Sequence, residues 1–440
     1  MGDPLFLHGV DLAAFLIAVV KVLVVFGFLM VSVMLMIWFE RKVISDMQNR
    51  IGPNRAGPFG ILQTLADGTK LFFKEDLLPE HADPFVFRLA PYLSLLPALL
   101  IFTIVPFGGV IHIFGHTVEL QVADPQMGIL LFLALSSISV YGTMLAGWSS
   151  GSKYPLLGAV RASAQMISYE AAMGLTIAAV ILESHSLSTR AIVAAQAPHV
   201  WDWGVLHTWG VPFLLFWVAV TAELNRPPFD LAEGEQELVG GFHTEYSSIR
   251  FAIFFLAEFM NAITMSAIMV TLFFGGPDGP GFHFWRWLWP ILWFLGKTVI
   301  FLYIYVWIRA ALPRMRYDQL MDLGWKRLIP LALGWLLVIA AAKISAAWGL
   351  GVAAGCVVAG GGLGVSLKVS RQRRELLARL GAPGRAGRAA AQGGQLRVLP
   401  APTLVTRAAE TGGGGAPGGG GAPGGGGAPG GGGAPGGSRT

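Results

Sequence analysis

Apolar residues along this chain gather into eight runs, each close to the roughly 20 residues that a helix needs to cross about 30 Å of hydrocarbon. They lie near Leu12 to Trp38, Pro91 to Pro106, Met127 to Trp148, Leu157 to Leu182, Trp209 to Leu224, Phe251 to Phe274, Trp285 to Ile308 and Leu328 to Ala342. In lipid no water can satisfy a bare backbone, so a spanning segment must be a helix or part of a closed barrel, and runs of this length predict helices. The expected fold class is all-α: a polytopic membrane protein, a bundle of eight transmembrane helices with long structured cytoplasmic loops. A further apolar run, Ala347 to Leu367, is Gly-rich and is followed at once by Lys368, Arg371, Arg373 and Arg374, which makes it a candidate ninth span.

Charge placement gives the bundle a direction. The connections after runs one, three, five and seven hold Arg41, Lys42, Arg50, Arg55, Lys70, Lys74, Arg88, Lys153, Arg226, Arg250, Arg314, Arg316, Lys326 and Arg327, whereas the opposite side holds chiefly Arg190 and Arg286. Lys and Arg collect on the cytoplasmic side, so the N-terminus is expected outside and those four connections inside. The region Met1 to Val20 has no Lys or Arg, unlike the basic start of a signal peptide, and reads as a retained span. Trp201, Trp203, Trp209, Trp285, Trp287 and Trp289 fall where outer-interface anchors sit.

Composition agrees with lipid as the solvent: 54% of the 440 residues are hydrophobic, 13% are charged and the mean hydropathy is +0.60. The net charge of +5 comes from membrane edges and the tail, and no nucleic-acid motif accompanies it. One cysteine, Cys356, is too few for an iron–sulfur cluster, which takes about four thiolates, and leaves no partner for an internal disulfide. Beyond Arg371 the chain turns Arg-rich and then Gly/Ala/Pro-rich, closing on GGGGAP repeated four times from Gly412 to Pro435, a composition that predicts a disordered tail. The organisation is therefore a membrane domain over 1–345, a possible extra span over 346–370 and a tail over 371–440.

The connections carry the chemistry. The stretch Phe39 to Leu89 is longer than a link requires and dense in ionisable groups. Within it Ile61, Leu62, Leu65, Leu71 and Phe72 fall near helical spacing with Asp67, Lys70 and Lys74 elsewhere, the pattern of a helix lying in the interface. The connection from Glu223 to Arg250 sets Glu223, Asp230, Glu233, Glu235, Glu237 and Glu245 against only Arg226 and Arg250, an acidic excess on a face that otherwise favours positive charge. Pro227 and Pro228 end the preceding helix, so Glu223 and Arg226 sit by a broken helix end. Were the chain helical beyond Pro228, Asp230, Glu233 and Glu237 would share one face, and close carboxylates titrate as a coupled set. Glu170, Glu258, Arg161 and Lys297 lie inside apolar runs, where an unpaired charge costs several kcal/mol and marks function by default. Lys21 can snorkel, and Glu183 stands at an outer helix end.

Three long polar stretches resemble a known family: ERKVISDMQNRIGPNRAGPFGILQTLADGTKLFFKED from Glu40, AELNRPPFDLAEGEQELVGGFHTEYSSIRFAIFFLAEF from Ala222, and PRMRYDQLMDLGWKRLIP at Pro313 to Pro330. They are similar to those of the quinone-site membrane subunit of respiratory complex I, the proton-translocating NADH-quinone oxidoreductase, and the likeness runs over about the first 345 residues. The resemblance implies a multi-pass protein of the bacterial cytoplasmic membrane that contains no redox centre of its own. It further implies that quinone would be the substrate, that nothing would be bound covalently, and that FMN and iron–sulfur clusters would belong to partner subunits. Those partners would be the peripheral-arm quinone-site and iron–sulfur subunits, the small membrane subunits and the antiporter-like subunits. By position, Glu40 and Arg41 would flank the quinone chamber entrance, with Asp67 and Lys70 on the following helix. Arg226, Phe229, Asp230, Glu233, Glu235 and Glu237 would line the chamber, and Glu170, Glu223 and Glu258 would form the buried proton path. No metal site is expected. A homologous component of a membrane hydrogenase or of a deazaflavin-dependent dehydrogenase would share this logic, and a stand-alone secondary transporter is a further alternative, though one that predicts internal repeats absent here.

Overall fold

A computed structural model describes residues 12–113, 116–197, 199–231, 238–280, 287–345, 347–356 and 360, all within a compact unit, Met1–Val365. In chain order the helices are α1 (Leu12–Met47), α2 (Gln63–Phe72), α3 (Pro84–Phe102), α4 (Gly128–Ser149), α5 (Lys153–Ser184), α6 (Thr189–Ala195), α7 (Gly204–His207), α8 (Val211–Glu223), α9 (Ser248–Phe273), α10 (Leu288–Ala311), α11 (Tyr317–Ile344) and α12 (Ala347–Cys356). A small antiparallel hairpin, β1 (Val110–Ile113) with β2 (His116–Glu119), sits between α3 and α4 and pairs Val110 with Glu119. Among the described residues, α1, α3, α4, α5, α9, α10 and α11 are long and apolar enough to cross a bilayer. The fold is an all-α polytopic membrane architecture, as the apolar runs predict.

Local chemistry explains where the helices depart from those runs. The run expected at Leu12 to Trp38 continues as helix to Met47, because FERKVISDM holds no Gly or Pro; Glu40 and Arg41 therefore stand on a helix, not in a loop. The second span starts at Pro84 rather than Pro91: Asp83 caps it, accepting from the N–H groups of Phe85 (3.1 Å) and Val86 (3.3 Å), with Pro84 in the first turn where it lacks nothing. The fifth run is broken. Pro212 cannot donate to a preceding carbonyl, so the chain passes through left-handed Trp209 (φ 58°) and Gly210 (φ 72°) before α8 begins. At 13 residues α8 is about 20 Å long, short of a full crossing, and α7 precedes it on the other side of the break. α11 carries a π-helical turn at Gly324–Leu328, just before Pro330, which lacks the N–H of a regular ladder. The candidate ninth span starts as α12; apart from Gly360, the rest of it and the expected tail lie outside the described residues.

Burial separates the helices. From Ala262 to Phe273 every residue of α9 is buried, so this helix is the axis of the bundle. α1 turns Leu12, Phe15, Leu16, Val20, Leu23 and Val24 outward, an apolar surface suited to lipid.

At one end, here the loop-rich end, the long connections are pinned to helices. Asp83 N–H donates to the Ser149 carbonyl (3.0 Å), tying the start of α3 to the end of α4. Ser248 Oγ donates to the Lys74 carbonyl (2.8 Å), and Arg250 pairs with Asp76 (2.8 Å), holding the segment after α2 on the first turn of α9. Trp38 Nε1 donates to the Phe59 carbonyl (3.0 Å) and Thr64 Oγ1 to the Met34 carbonyl (3.2 Å), which lays α2 along α1. Gly60 (φ 78°) has no room for a Cβ against the Pro53 backbone, so this turn requires glycine.

The far end is tied differently. Gln196 Oε1 accepts from the N–H groups of Gly204 (3.0 Å) and Gly275 (2.8 Å), while its Nε2 donates to the Leu272 carbonyl (3.0 Å). Lys297 of α10 donates to three backbone carbonyls just past α9, those of Phe274 (2.7 Å), Gly276 (3.1 Å) and Asp278 (2.6 Å), and lies 4.5 Å from the Trp203 ring. This lysine, a candidate for a buried polar path on sequence alone, caps a helix end. Trp203 covers it instead of serving only as an interface anchor, whereas Trp201 and Trp209 are exposed. Glu183 is paired with Lys343 (2.9 Å).

Candidate functional site

The loop-rich end joins four charged side chains from four separate parts of the chain, two of them buried (Glu40 and Arg226) and two half-buried (Glu258 and Arg309). Glu40 comes from the polar extension of α1, Glu258 from α9, Arg309 from the last turn of α10, and Arg226 from the segment after α8. Arg226 Nη1 donates to Glu40 Oε2 (2.7 Å), and Arg226 Nε lies 3.4 Å from Glu258 Oε1. Arg309 pairs with the other oxygen of Glu40. The Arg226 side chain is only 2% exposed and stacks 4.5 Å over the Phe259 ring, so its charge is balanced by carboxylates rather than by solvent. Removing one member of such a buried pair strands the other, at a cost of about 3–5 kcal/mol.

What places Arg226 is the way α8 stops. Asn225 takes a left-handed conformation (φ 51°), and Gln165 of α5 then gathers the turn, its Nε2 donating to the carbonyls of Ala222 (2.8 Å) and Phe229 (2.7 Å). Phe229 packs against Tyr169 with ring centroids 5.6 Å apart, and the next residue, Asp230, is 3% exposed and pairs with Arg314 (2.7 Å). The acidic connection therefore holds, at Asp230, a buried carboxylate paired with an arginine.

A second set lies beside the first. Ser136 and Ser137 are consecutive on α4 and point to two different carboxylates: Ser136 Oγ donates to Glu223 Oε1 (3.0 Å), and Ser137 Oγ donates to Glu170. Glu223 is 1% exposed, and its Oε2 has no hydrogen-bond partner among the described residues. Glu170 acts on Glu223 electrostatically.

A cavity of about 430 Å³ joins the two sets, for Glu223, Glu258 and Arg309 all line it. The rest of its wall mixes polar groups, among them Ser94, Asn225, His243 and Asn261, with the rings of Phe251, Phe254 and Phe255. A few placed polar groups in an aromatic wall are what a site for a small organic molecule or a water chain requires.

The remaining expected site residues fall outside this core. Arg41 and Asp67 pair (2.6 Å) with 42% and 30% of their side chains exposed, and Lys70 stands on the same helix, α2, at its exposed last turn. α2 presents Leu65 and Phe72 to the surface, followed by Phe73, as an interfacial helix would. Glu233, Glu235 and Glu237 lie outside the described residues. Arg309, Arg314, Gln165 and the serine pair were not among the expected site residues. An arginine at the end of an apolar helix reads as an ordinary membrane-edge charge, and serines in a span read as packing; only the three-dimensional pairing distinguishes them.

Comparison with known proteins bears on this site. The family model described as NADH dehydrogenase matches residues 20–340, which contain every residue of both sets. The chain is 50% identical over 337 residues to the H subunit of NADH-quinone oxidoreductase from Frankia alni, covering 75% of this chain and 73% of that one. Its likeness to the corresponding protein of Frankia casuarinae, also an H subunit of NADH-quinone oxidoreductase, is 50% over 343 residues, 77% and 75% of the two chains.

Proposed function

Because the chain belongs to the NADH dehydrogenase family, among the H subunits of NADH-quinone oxidoreductase, we propose that its two buried charge sets and the cavity between them couple quinone reduction to proton translocation. Quinone is the substrate. Glu40, Arg41, Asp67, Lys70, Arg226, Phe229, Asp230, Glu233, Glu235 and Glu237 form this chain's wall of the quinone chamber, which peripheral-arm subunits complete. Glu170, Glu223 and Glu258 carry protons onward to the antiporter-like subunits. The relatives are bacterial membrane subunits; here the N-terminus lies outside and the loop-rich end faces the cytoplasm, where the peripheral arm docks.

The observation that carries this reading is that Arg226 touches both a chamber residue, Glu40, and a path residue, Glu258, while Glu258 and Glu223 share one cavity. Reducing a quinone to a quinol consumes protons and changes the charge near Arg226. Arg226 divides its charge between two carboxylates, so a change on the Glu40 side alters how strongly Glu258 is held as an anion. Glu258 and Glu223 then exchange protons across the cavity, and Glu170 receives them through its coupling with Glu223.

The test replaces Glu258 or Glu223 with Gln in the assembled complex and measures protons moved per NADH oxidised in inverted membrane vesicles. Each variant keeps the side-chain shape and its neutral hydrogen bonds. The expected result is retained assembly with proton movement reduced at least about tenfold. Normal proton movement in both variants would refute the coupling role.

A further inference from the structure

One side chain on the cavity wall is an imidazole, a group with two ring nitrogens that can take up one proton and release another, and the carboxylate path does not use it: His243. It closes a 3-10 turn, Gly241–His243, that packs against α5 so tightly that a Cβ on Gly158 would meet the Gly241 Cα at 2.8 Å. The turn is held from both sides, by Thr244 Oγ1 donating to the Gly241 carbonyl (2.7 Å) and by Tyr246 N–H donating to the His243 carbonyl (3.0 Å). Tyr246 is itself fixed, stacked on Phe87 at 4.0 Å with its hydroxyl donating to the Phe87 carbonyl (3.1 Å). The imidazole stands edge-on to the rings of Phe242 (5.0 Å) and Phe251 (5.5 Å). A Cβ on Gly240, another cavity-wall residue, would lie 3.8 Å from His243 Nε2, so that nitrogen stands over the cavity's own backbone. The residue is only half-buried.

From this placement we propose that His243 relays protons between the loop surface and the cavity carboxylates, taking a proton at one ring nitrogen and releasing one from the other toward Glu223 or Glu258. The proposal rests on the coupling role above and adds the entry point. The charged groups around the turn set the direction of transfer, with carboxylates on the cavity side. Across the cavity stand Glu223, Glu258 and Arg309, the last paired with Glu40. α4 carries no Asp, Glu, Lys, Arg or His, and α5, which packs against the turn at Gly158, carries Lys153, Arg161, Glu170 and Glu183 along its length. Glu245 follows in its own segment, and Arg250 on α9 is paired with Asp76. Tyr246 does not compete for the role: burial pushes its phenol up to about 12, so it remains a neutral donor. The cavity has room for the waters that would bridge an imidazole to a carboxylate.

The experiment uses the assembled complex in native membranes, carrying His243→Ala or His243→Gln, with NADH-driven quinone reduction measured across pH with and without imidazole in the buffer. Both variants should turn over about tenfold more slowly than the parent complex. Added imidazole should restore His243→Ala, which leaves space for it, and leave His243→Gln slow. Restoration should follow the imidazolium fraction of the buffer, a response that a packing role would not give. Parental rates in His243→Gln, or a loss in His243→Ala that imidazole does not reverse, would overturn the relay. Glu258→Gln and Glu223→Gln in the same membranes separate the two proposals: if both still pump normally, the coupling role fails whatever His243 does.

Discussion

The far end of the bundle and the loop-rich end both bury ionisable groups, but they satisfy them differently. Lys297 finds three backbone carbonyls and an indole face, and Gln196 fills both of its polar atoms with backbone partners. Those carbonyls lie at the end of α9, where the helix dipole favours a cation. At the loop-rich end Arg226 is shared between Glu40 and Glu258, and one oxygen of Glu223 has no hydrogen-bond partner among the described residues. Buried charge is therefore satisfied in two different ways in this fold. Backbone carbonyls neither take up nor release protons, whereas carboxylate partners can do both.

Glu40 offers the strongest way to break that contrast. Glu40→Gln leaves two arginines facing a neutral amide, with Arg226 2% exposed and unable to recover hydration. The expected loss is about 3–5 kcal/mol of stability, enough to deplete this chain from the purified complex. Western quantification of this chain against a peripheral-arm subunit reads the effect. Full assembly with unchanged heat resistance would mean that the Glu40 pairing is dispensable and that the two ends are held alike.

Lys297→Met tests the opposite end and should cost less. The methionine keeps the apolar stem and leaves the carbonyls of Phe274, Gly276 and Asp278 without their donor, a penalty of about 1–3 kcal/mol. Heat inactivation of the complex should come earlier, while protons moved per NADH oxidised stay at the parental value. A fall in that ratio without a loss of stability would place Lys297 among the proton carriers and erase the distinction between the ends.

Sequence alone located the spans well because a membrane helix is a one-dimensional signal: all eight apolar runs contain helix. Its failures have local physical causes. The α1 run ends at Trp38 by hydropathy, yet helix propensity carries it to Met47 and so moves Glu40 into the bundle. Trp209 to Leu224 is apolar throughout, yet Pro212 forces a restart that hydropathy cannot register. Glu223, Glu258 and Arg226 stood out because charge in or beside an apolar run is costly, whereas Glu40 was reached only through the family resemblance. Arg309, Gln165, Ser136 and Ser137 were silent, since each is an ordinary residue for its position until its partner, more than thirty residues away in the chain, is known.

The smallest effect on stability is expected at the surface of the loop-rich end, where Asp67 pairs with Arg41. Both side chains are substantially exposed, so the pair contributes no more than about 1 kcal/mol, and Asp67→Asn should leave assembly and heat resistance unchanged. If these residues flank the entrance for quinone, the variant should still raise KM for quinone about twofold to fivefold at nearly constant kcat, the mark of weaker uniform binding. Titrating a soluble short-chain quinone against membranes of the parent and the variant reads both constants at once. A lower kcat at unchanged KM would move Asp67 from the entrance to the reacting centre. No change in either constant would reduce α2 to a lipid-facing strut, and the working part of the loop-rich end would then be confined to its buried charges.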